Sequence, residues 1–208
     1  MPRLVVITGM GLVTPIGSGQ EQFWDALKHG RGAGGPITHF DASAYSSKIA
    51  AEVIGFDPKA AGLSDEQIVR ADRATQFAIA STYDALADSG LKLDTLDRRR
   101  LGVCVGTGIG AIGTAYNYWY DVMVIEDDKE YMAGVMDPTW YTRMMMNRAA
   151  LEVAQVVGAH NACATIAAAC ASGSEATGRA WRAIRNGEAD VIFTGGADAA
   201  INQISFAG

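Results

Sequence analysis

Cys170 stands in "TIAAACASGSEATGRAWRAI", residues 165–184, where a run of small residues gives way to a helical pattern. The commonest fate of a free cysteine is that of a small buried hydrophobe. The setting allows a second role. A sulfur at a helix N-terminus sits near unpaired N–H groups and the positive end of the helix dipole, which favour thiolate over thiol. The same N–H groups can face a developing oxyanion, so one turn could supply both nucleophile and charge stabilisation. Ala167 to Ala169, Ala171 and Gly173 leave room for a substrate to approach. The residues by themselves leave buried filler and nucleophile both open. Cys104 and Cys163 lie inside strand-like runs and read as packing.

A second cluster is "GIGAIG", Gly108 to Gly113, which matches the dinucleotide pattern G-x-G-x-x-G and comes directly after a strand-like run. That motif requires a regular helix, a second strand and an acidic residue about 20 positions on to hold a ribose. The next residues, "TAYNYWYDVMVIEDDKEYMAG", are crowded with aromatics and acids and hold no clear βαβ unit, which argues against a nucleotide site. With 3 cysteines and no CxxC pair, neither a zinc site nor a disulfide framework is expected. His29, His39 and His160 read as surface or structural residues.

These groups must be positioned by alternating strands and helices. "RLVVITGMGLVTPIG" predicts a strand at Val5 to Ile7 and a glycine-broken loop. A helix comes next, with Phe23, Trp24 and Leu27 on one face and a stop at Gly30. "SKIAAEV" predicts a short edge strand, and residues 64–90 one long amphipathic helix capped by Ser64 and ended by Gly90. Leu101 to Val105 is a second strand, residues 114–137 form a helical or loop region, and a helix runs from Pro138 to Gly158. Ala162 to Ala168 is a third strand leading to Cys170 and a helix over 172–186, with "ADVIFTGGADAA" as the last strand. The alternation predicts an α/β fold, a sheet covered on both faces, in one domain over residues 1–208. The chain is 49% hydrophobic and 19% charged, with 17 basic against 23 acidic residues. That acidic balance, without a basic block, disfavours nucleic acid as a partner. No apolar run approaches the roughly 20 residues of a membrane span, and the N-terminal stretch lacks a signal-peptide pattern, so the cytoplasm is the expected location.

"ACASGSEATGRAWRAIRNGEADVIFTGGADAAI" resembles the active-site cysteine segment of the β-ketoacyl-acyl carrier protein synthases, the elongating condensing enzymes of the thiolase superfamily. "VVITGMGLVTPIG", "ITHFDASAYSSKIAAEV" and "RADRATQFAIASTYDALADSGL" agree in order and spacing, and "GTGIGA" falls where these enzymes carry a glycine-rich turn beside the acyl pocket. The resemblance covers essentially the whole chain. It implies a thiolase-like fold, of which residues 1–208 are the N-terminal half of a five-layered αβαβα sandwich. It also implies acyl transfer and decarboxylative condensation in fatty acid or polyketide biosynthesis, on substrates carried by the phosphopantetheine of an acyl carrier protein. No separate cofactor or metal is implied. Cys170 would accept the acyl group, its own N–H would contribute to the oxyanion hole, and Ile109 would line the acyl pocket. Gly108 and Gly110 would let the backbone turn closely beside it.

Family members are about twice this long and carry their histidine pair and supporting lysine in the second half. The C-terminal half is therefore expected on the same or a separate polypeptide, in a homodimer or a ketosynthase-type heterodimer. Asn161-Ala162 replaces a frequent Gly-Pro, Asn202-Gln203 a frequent Thr-Pro, and Ala168 a frequent threonine. "YNYWY" and "RMMMN" read as interface packing. The alternative is a non-catalytic chain-length-factor-like partner subunit, against which the presence of Cys170 speaks.

Overall fold

All six residues of Leu101–Gly106 are buried, and the segment forms the central strand of a three-stranded parallel sheet. A strand buried on both faces needs no polar alternation, which is why its sequence reads as a continuous small and apolar run. The structure is a computed structural model, and it describes residues 3–120 and 140–207. In chain order the elements are β1 (Val13–Thr14), β2 (Gly17–Ser18), α1 (Gln20–Lys28), β3 (Gly34–Pro36), β4 (Ile49–Ala51), α2 (Asp65–Arg70) and α3 (Arg73–Ser89). The chain continues with β5 (Leu101–Gly106), α4 (Ile112–Tyr120), α5 (Trp140–Met144), α6 (Arg148–Val157), β6 (Cys163–Ile166), α7 (Ser172–Arg185), β7 (Val191–Gly196) and α8 (Gln203–Ala207).

The sheet order is β6-β5-β7, with Val103 opposite Cys163 on one side and Phe193 on the other. Alternate side chains of β5 serve opposite layers. Leu101, Val103 and Val105 pack against Ala78 of α3 and Ala149, Ala150, Val153 and Val157 of α6. Cys104 faces the other way and joins Ile166 and Ala176 under α7. Helices thus cover both faces of the sheet, as the sequence predicts. The edge strand read from "SKIAAEV" is β4, paired antiparallel with β3.

Several expectations change. Val5 to Ile7 forms no regular element and joins no sheet among the described residues. Its neighbours Gly9 and Gly11 lie against the backbone of α3, where an added Cβ would fall 2.3 Å and 1.8 Å from the carbonyl oxygens of Ala85 and Ser81. The β-branched run reports a readiness to pair, and none of the described strands pairs with it. The helix expected over 64–90 is two helices. Ser64 and Gln67 form a capping box for α2, and Asp72 caps α3 by accepting from Ala74 and Thr75 N–H, so the chain breaks at Ala71. The helix expected from Pro138 to Gly158 is α5 and α6, separated by Met145 to Asn147 and ended by a left-handed Gly158; Pro138 itself lies outside the described residues. The helical or loop region expected over 114–137 is α4 as far as Tyr120, and the remainder lies outside the described residues. Finally, β6 stops at Ile166 rather than Ala168, because the chain turns sharply there.

Candidate active site

The turn that ends β6 contains a strained residue. Ala169 has φ 48°, the one non-glycine residue with positive φ among those described. An alanine in the left-handed region costs about 1–2 kcal/mol and persists only where surrounding contacts fix it. Those contacts come from Ser172, the buried first residue of α7. Its Oγ accepts from Ala168 N–H at 2.8 Å and lies 2.7 Å from the Ala169 carbonyl and 3.0 Å from that of Thr107. Between the strained residue and the helix sits Cys170, with its thiol exposed.

Close packing sets this turn on the sheet. A Cβ added to Gly106 would fall 2.3 Å from the Ser172 carbonyl, and one added to Gly196 would fall 3.1 Å from Gly173 Cα. Glycines at the ends of β5 and β7 therefore let the start of α7 rest on the strand backbones. Ala176 and Ala180, one and two turns on, keep the helix low along the sheet.

The second cluster arrives at the same end of the sheet. Thr107 to Gly110 leaves β5 as a tight loop in which Gly110 has φ 60° and its N–H donates to Thr107 Oγ1 at 2.9 Å. Asp198, just beyond β7, receives the rest. Its carboxylate accepts from Thr107 Oγ1 at 2.7 Å, from Gly108 N–H at 3.0 Å and from Ile109 N–H at 3.4 Å. Gly108 lies against the elbow, since a Cβ there would be 3.6 Å from the Ala169 carbonyl oxygen. The glycine loop and the Cys170 turn are thus brought to one end of the sheet through Gly108, and Ile109, the next residue of the loop, has an exposed side chain.

The occupied N–H groups also bear on the nucleotide motif. A pyrophosphate would need the donors of Gly108 to Gly110, and these already serve Asp198 and Thr107. Burial pushes the thiol of Cys104 up, and partial desolvation by its surroundings does the same for Cys163. The packing expected for Cys104 holds, whereas Cys163 is exposed, because β6 is an edge strand of the described sheet. His29 and His160 are exposed, and His39 lies away from the elbow beside Glu52. A cleft of about 340 Å³, lined by His39, Arg73, Gly113, Asn117 and Asn202, opens beyond the glycine loop and does not reach Cys170. Asp198 and Ser172 are the site residues that sequence reading misses. Two of the unusual positions have structural work: Asn161 Nδ2 donates to the carbonyls of Arg99 and Glu188, and Asn202 Oδ1 accepts from Ser205 N–H in the first turn of α8.

Comparison with known proteins agrees with this architecture. The 3-oxoacyl-(acyl-carrier-protein) synthase 2 of Synechocystis sp. is 35% identical over 99% of this chain and 48% of its own. The tetracenomycin polyketide synthase ketoacyl synthase alpha subunit of Streptomyces glaucescens is 38% identical over 99% of this chain and 48% of its own. The chain thus spans about half the length of the curated relatives it matches. Among solved structures, the ishigamide ketosynthase/chain length factor superposes with a TM-score of 0.84 at 31% identity, over 100% of this chain and 50% of that one. The family model described as the β-ketoacyl synthase N-terminal domain matches residues 3–208. With an α/β layer that delivers a cysteine elbow and a glycine loop to one sheet end, and with that match over nearly its whole length, the chain belongs to the β-ketoacyl synthase family through its N-terminal domain.

Proposed function

We propose that this chain is the N-terminal half of a ketosynthase and that Cys170 is its acyl acceptor. The observation that carries the reading is the elbow, where a strained Ala169, fixed by Ser172, exposes a sulfur at the start of α7 beside the glycine loop. The Cys170 sulfur attacks the carbonyl carbon of a carrier-protein thioester, a new C–S bond forms, and the carrier's phosphopantetheine thiol leaves. The Cys170 N–H stabilises the oxyanion during attack. A malonyl thioester then loses carbon dioxide, its carbanion attacks the acyl-enzyme carbonyl, and the C–S bond to Cys170 breaks to return the sulfur. The histidine pair for that second step belongs to a C-terminal half, on the same or a separate polypeptide. The acyl carrier protein and a second ketosynthase-type subunit are the partners, and no cofactor beyond the carrier's arm is required. The cytoplasm is the proposed setting; no helix among the described residues is long and apolar enough to cross a membrane.

The test is an intact-mass spectrum of the complete assembly, under denaturing conditions, after exposure to an acyl-carrier thioester. An acyl adduct on this chain that disappears in Cys170→Ala is the expected result. Unchanged product formation by the Cys170→Ala assembly would instead make this chain a chain-length-factor-like partner.

A further inference from the structure

We propose that Asp198 is a positioning residue that fixes the 107–110 loop against the Cys170 elbow and thereby sets which acyl chains the cysteine accepts. The inference rests on the reading of Cys170 as acyl acceptor. One carboxylate here serves three donors from consecutive residues of another element: the Thr107 hydroxyl and the Gly108 and Ile109 N–H groups. β5 and β7 are adjacent parallel strands, so their C-terminal ends place Asp198 and the loop side by side. Thr107 continues the connection, since its carbonyl lies within reach of Ser172 Oγ, the group that holds Ala169. Asp198, Thr107, Ser172 and the elbow therefore form one hydrogen-bonded series, two of whose members are buried.

The carboxylate is required for its acceptor-only character. An amide at this position would present N–H donors to a loop that offers only donors, and hydrogen bonds to a charged acceptor are the stronger kind. Loss of those bonds frees the loop and moves Ile109, whose exposed aliphatic side chain follows Gly108, the residue that packs on the Ala169 carbonyl. On the proposed reading of Cys170, a two-carbon acyl group ends close to the sulfur, whereas an eight-carbon chain extends far enough to meet the neighbouring loop. The position of the loop thus discriminates by chain length, and the reactivity of the sulfur toward a small reagent does not depend on it.

The complete ketosynthase containing this chain would be assayed as wild type, Asp198→Asn, Asp198→Glu and Thr107→Val. The readouts are the rates of Cys170 acylation from acetyl- and octanoyl-carrier thioesters and of Cys170 alkylation by iodoacetamide. In Asp198→Asn the octanoyl-to-acetyl ratio is expected to change by about tenfold, with alkylation as in wild type. Asp198→Glu, which keeps two acceptor oxygens, should recover part of the change. Thr107→Val, isosteric and lacking the hydroxyl, should shift the ratio in the same direction, and it decides the question if Asp198→Asn does not fold. A wild-type ratio in variants that alkylate normally overturns the positioning role. No acylation of wild-type Cys170 by either thioester overturns the underlying nucleophile reading instead.

Discussion

Cys170 is exposed through strain in one neighbour and hydrogen bonding from another, and that combination separates it from the other two thiols. Cys104 is buried, and burial pushes its pKa up; Cys163 is exposed at the sheet edge, yet its surroundings also push its pKa up. Limiting iodoacetamide at neutral pH, followed by peptide mass mapping, should label Cys170 first and Cys104 last, because the thiolate is the reactive form. Equal labelling of all three would remove the case for an activated sulfur. The exposed turn at Cys170 is legible from a small-residue run meeting a helix, and the contact Asp198 makes with the glycine loop is not. Its partners lie about 90 positions earlier in the chain, and no local pattern reports a contact at that separation. Cys163 misleads because a strand-like run does not say whether the strand is central or at an edge. A second residue-scale prediction concerns Glu52, which is buried and accepts from Thr38 N–H at 2.9 Å, Thr38 Oγ1 at 2.6 Å and His39 N–H at 3.2 Å. Burial would raise its pKa, and the Thr38 and His39 hydrogen bonds outweigh that and hold it below the ordinary value. A lowered folded pKa stabilises above the unfolded value, near 4, and that stabilisation is lost as pH falls through the folded value. The urea midpoint should therefore drop below about pH 4, and Glu52→Gln should lower the midpoint at pH 7 while weakening its dependence on acid pH.

Helices and strands meet here by backbone proximity as much as by side-chain packing. Gly106→Ala would drive a methyl group into the Ser172 carbonyl, and backbone cannot yield as a flexible side chain does. Overpacking costs typically 1–3 kcal/mol, and this contact, at the start of α7, should reach at least about 3 kcal/mol while displacing the elbow. Chemical denaturation together with Cys170 alkylation measures both effects; wild-type values in each would mean that α7 does not rest on β5. The junction of α2 and α6 depends on charge. Glu152, almost wholly buried, lies 3.0 Å from Arg70 Nη2 of α2 and pairs with Arg148 one turn earlier on its own helix. Glu152→Ala removes the acceptor that Arg148 shares with Arg70, which keeps Glu66 and Gln155, and should cost about 3 kcal/mol by urea denaturation. Most of the elements are readable from periodicity and caps: Ser64 and Gly90 bound their segments as expected, and Asp72 escapes notice because one continuous apolar stripe masks a second cap. Extended segments are harder, since Val5 to Ile7 has strand composition and strand identity belongs to the pair.

At the scale of the whole molecule, large apolar side chains stand exposed in groups among the described residues. Leu4, Val6 and Ile7 are 90%, 65% and 76% exposed along one segment, and Trp181 stands outward on α7, the helix that begins just after the candidate nucleophile. Trp119, Tyr120, Tyr141, Met145 and Met146 form a second exposed group on the ends of α4 and α5 and just beyond. Grouped exposed apolar side chains mark sites of association, and aromatic residues and methionine are enriched at such contacts. The first group fits the proposed reading of a second α/β half, because an apolar segment that joins no sheet among the described residues asks for a strand and an exposed helix face asks for a sheet. The 208-residue chain purified alone should therefore bind a hydrophobic dye and self-associate with increasing concentration in light scattering. On the proposed reading, co-production with a C-terminal ketosynthase half should abolish dye binding and yield one species of defined mass. A lone chain that stays monomeric and dye-free at all concentrations would mean that the exposed surface is covered from within, and the two-half architecture would have to be abandoned.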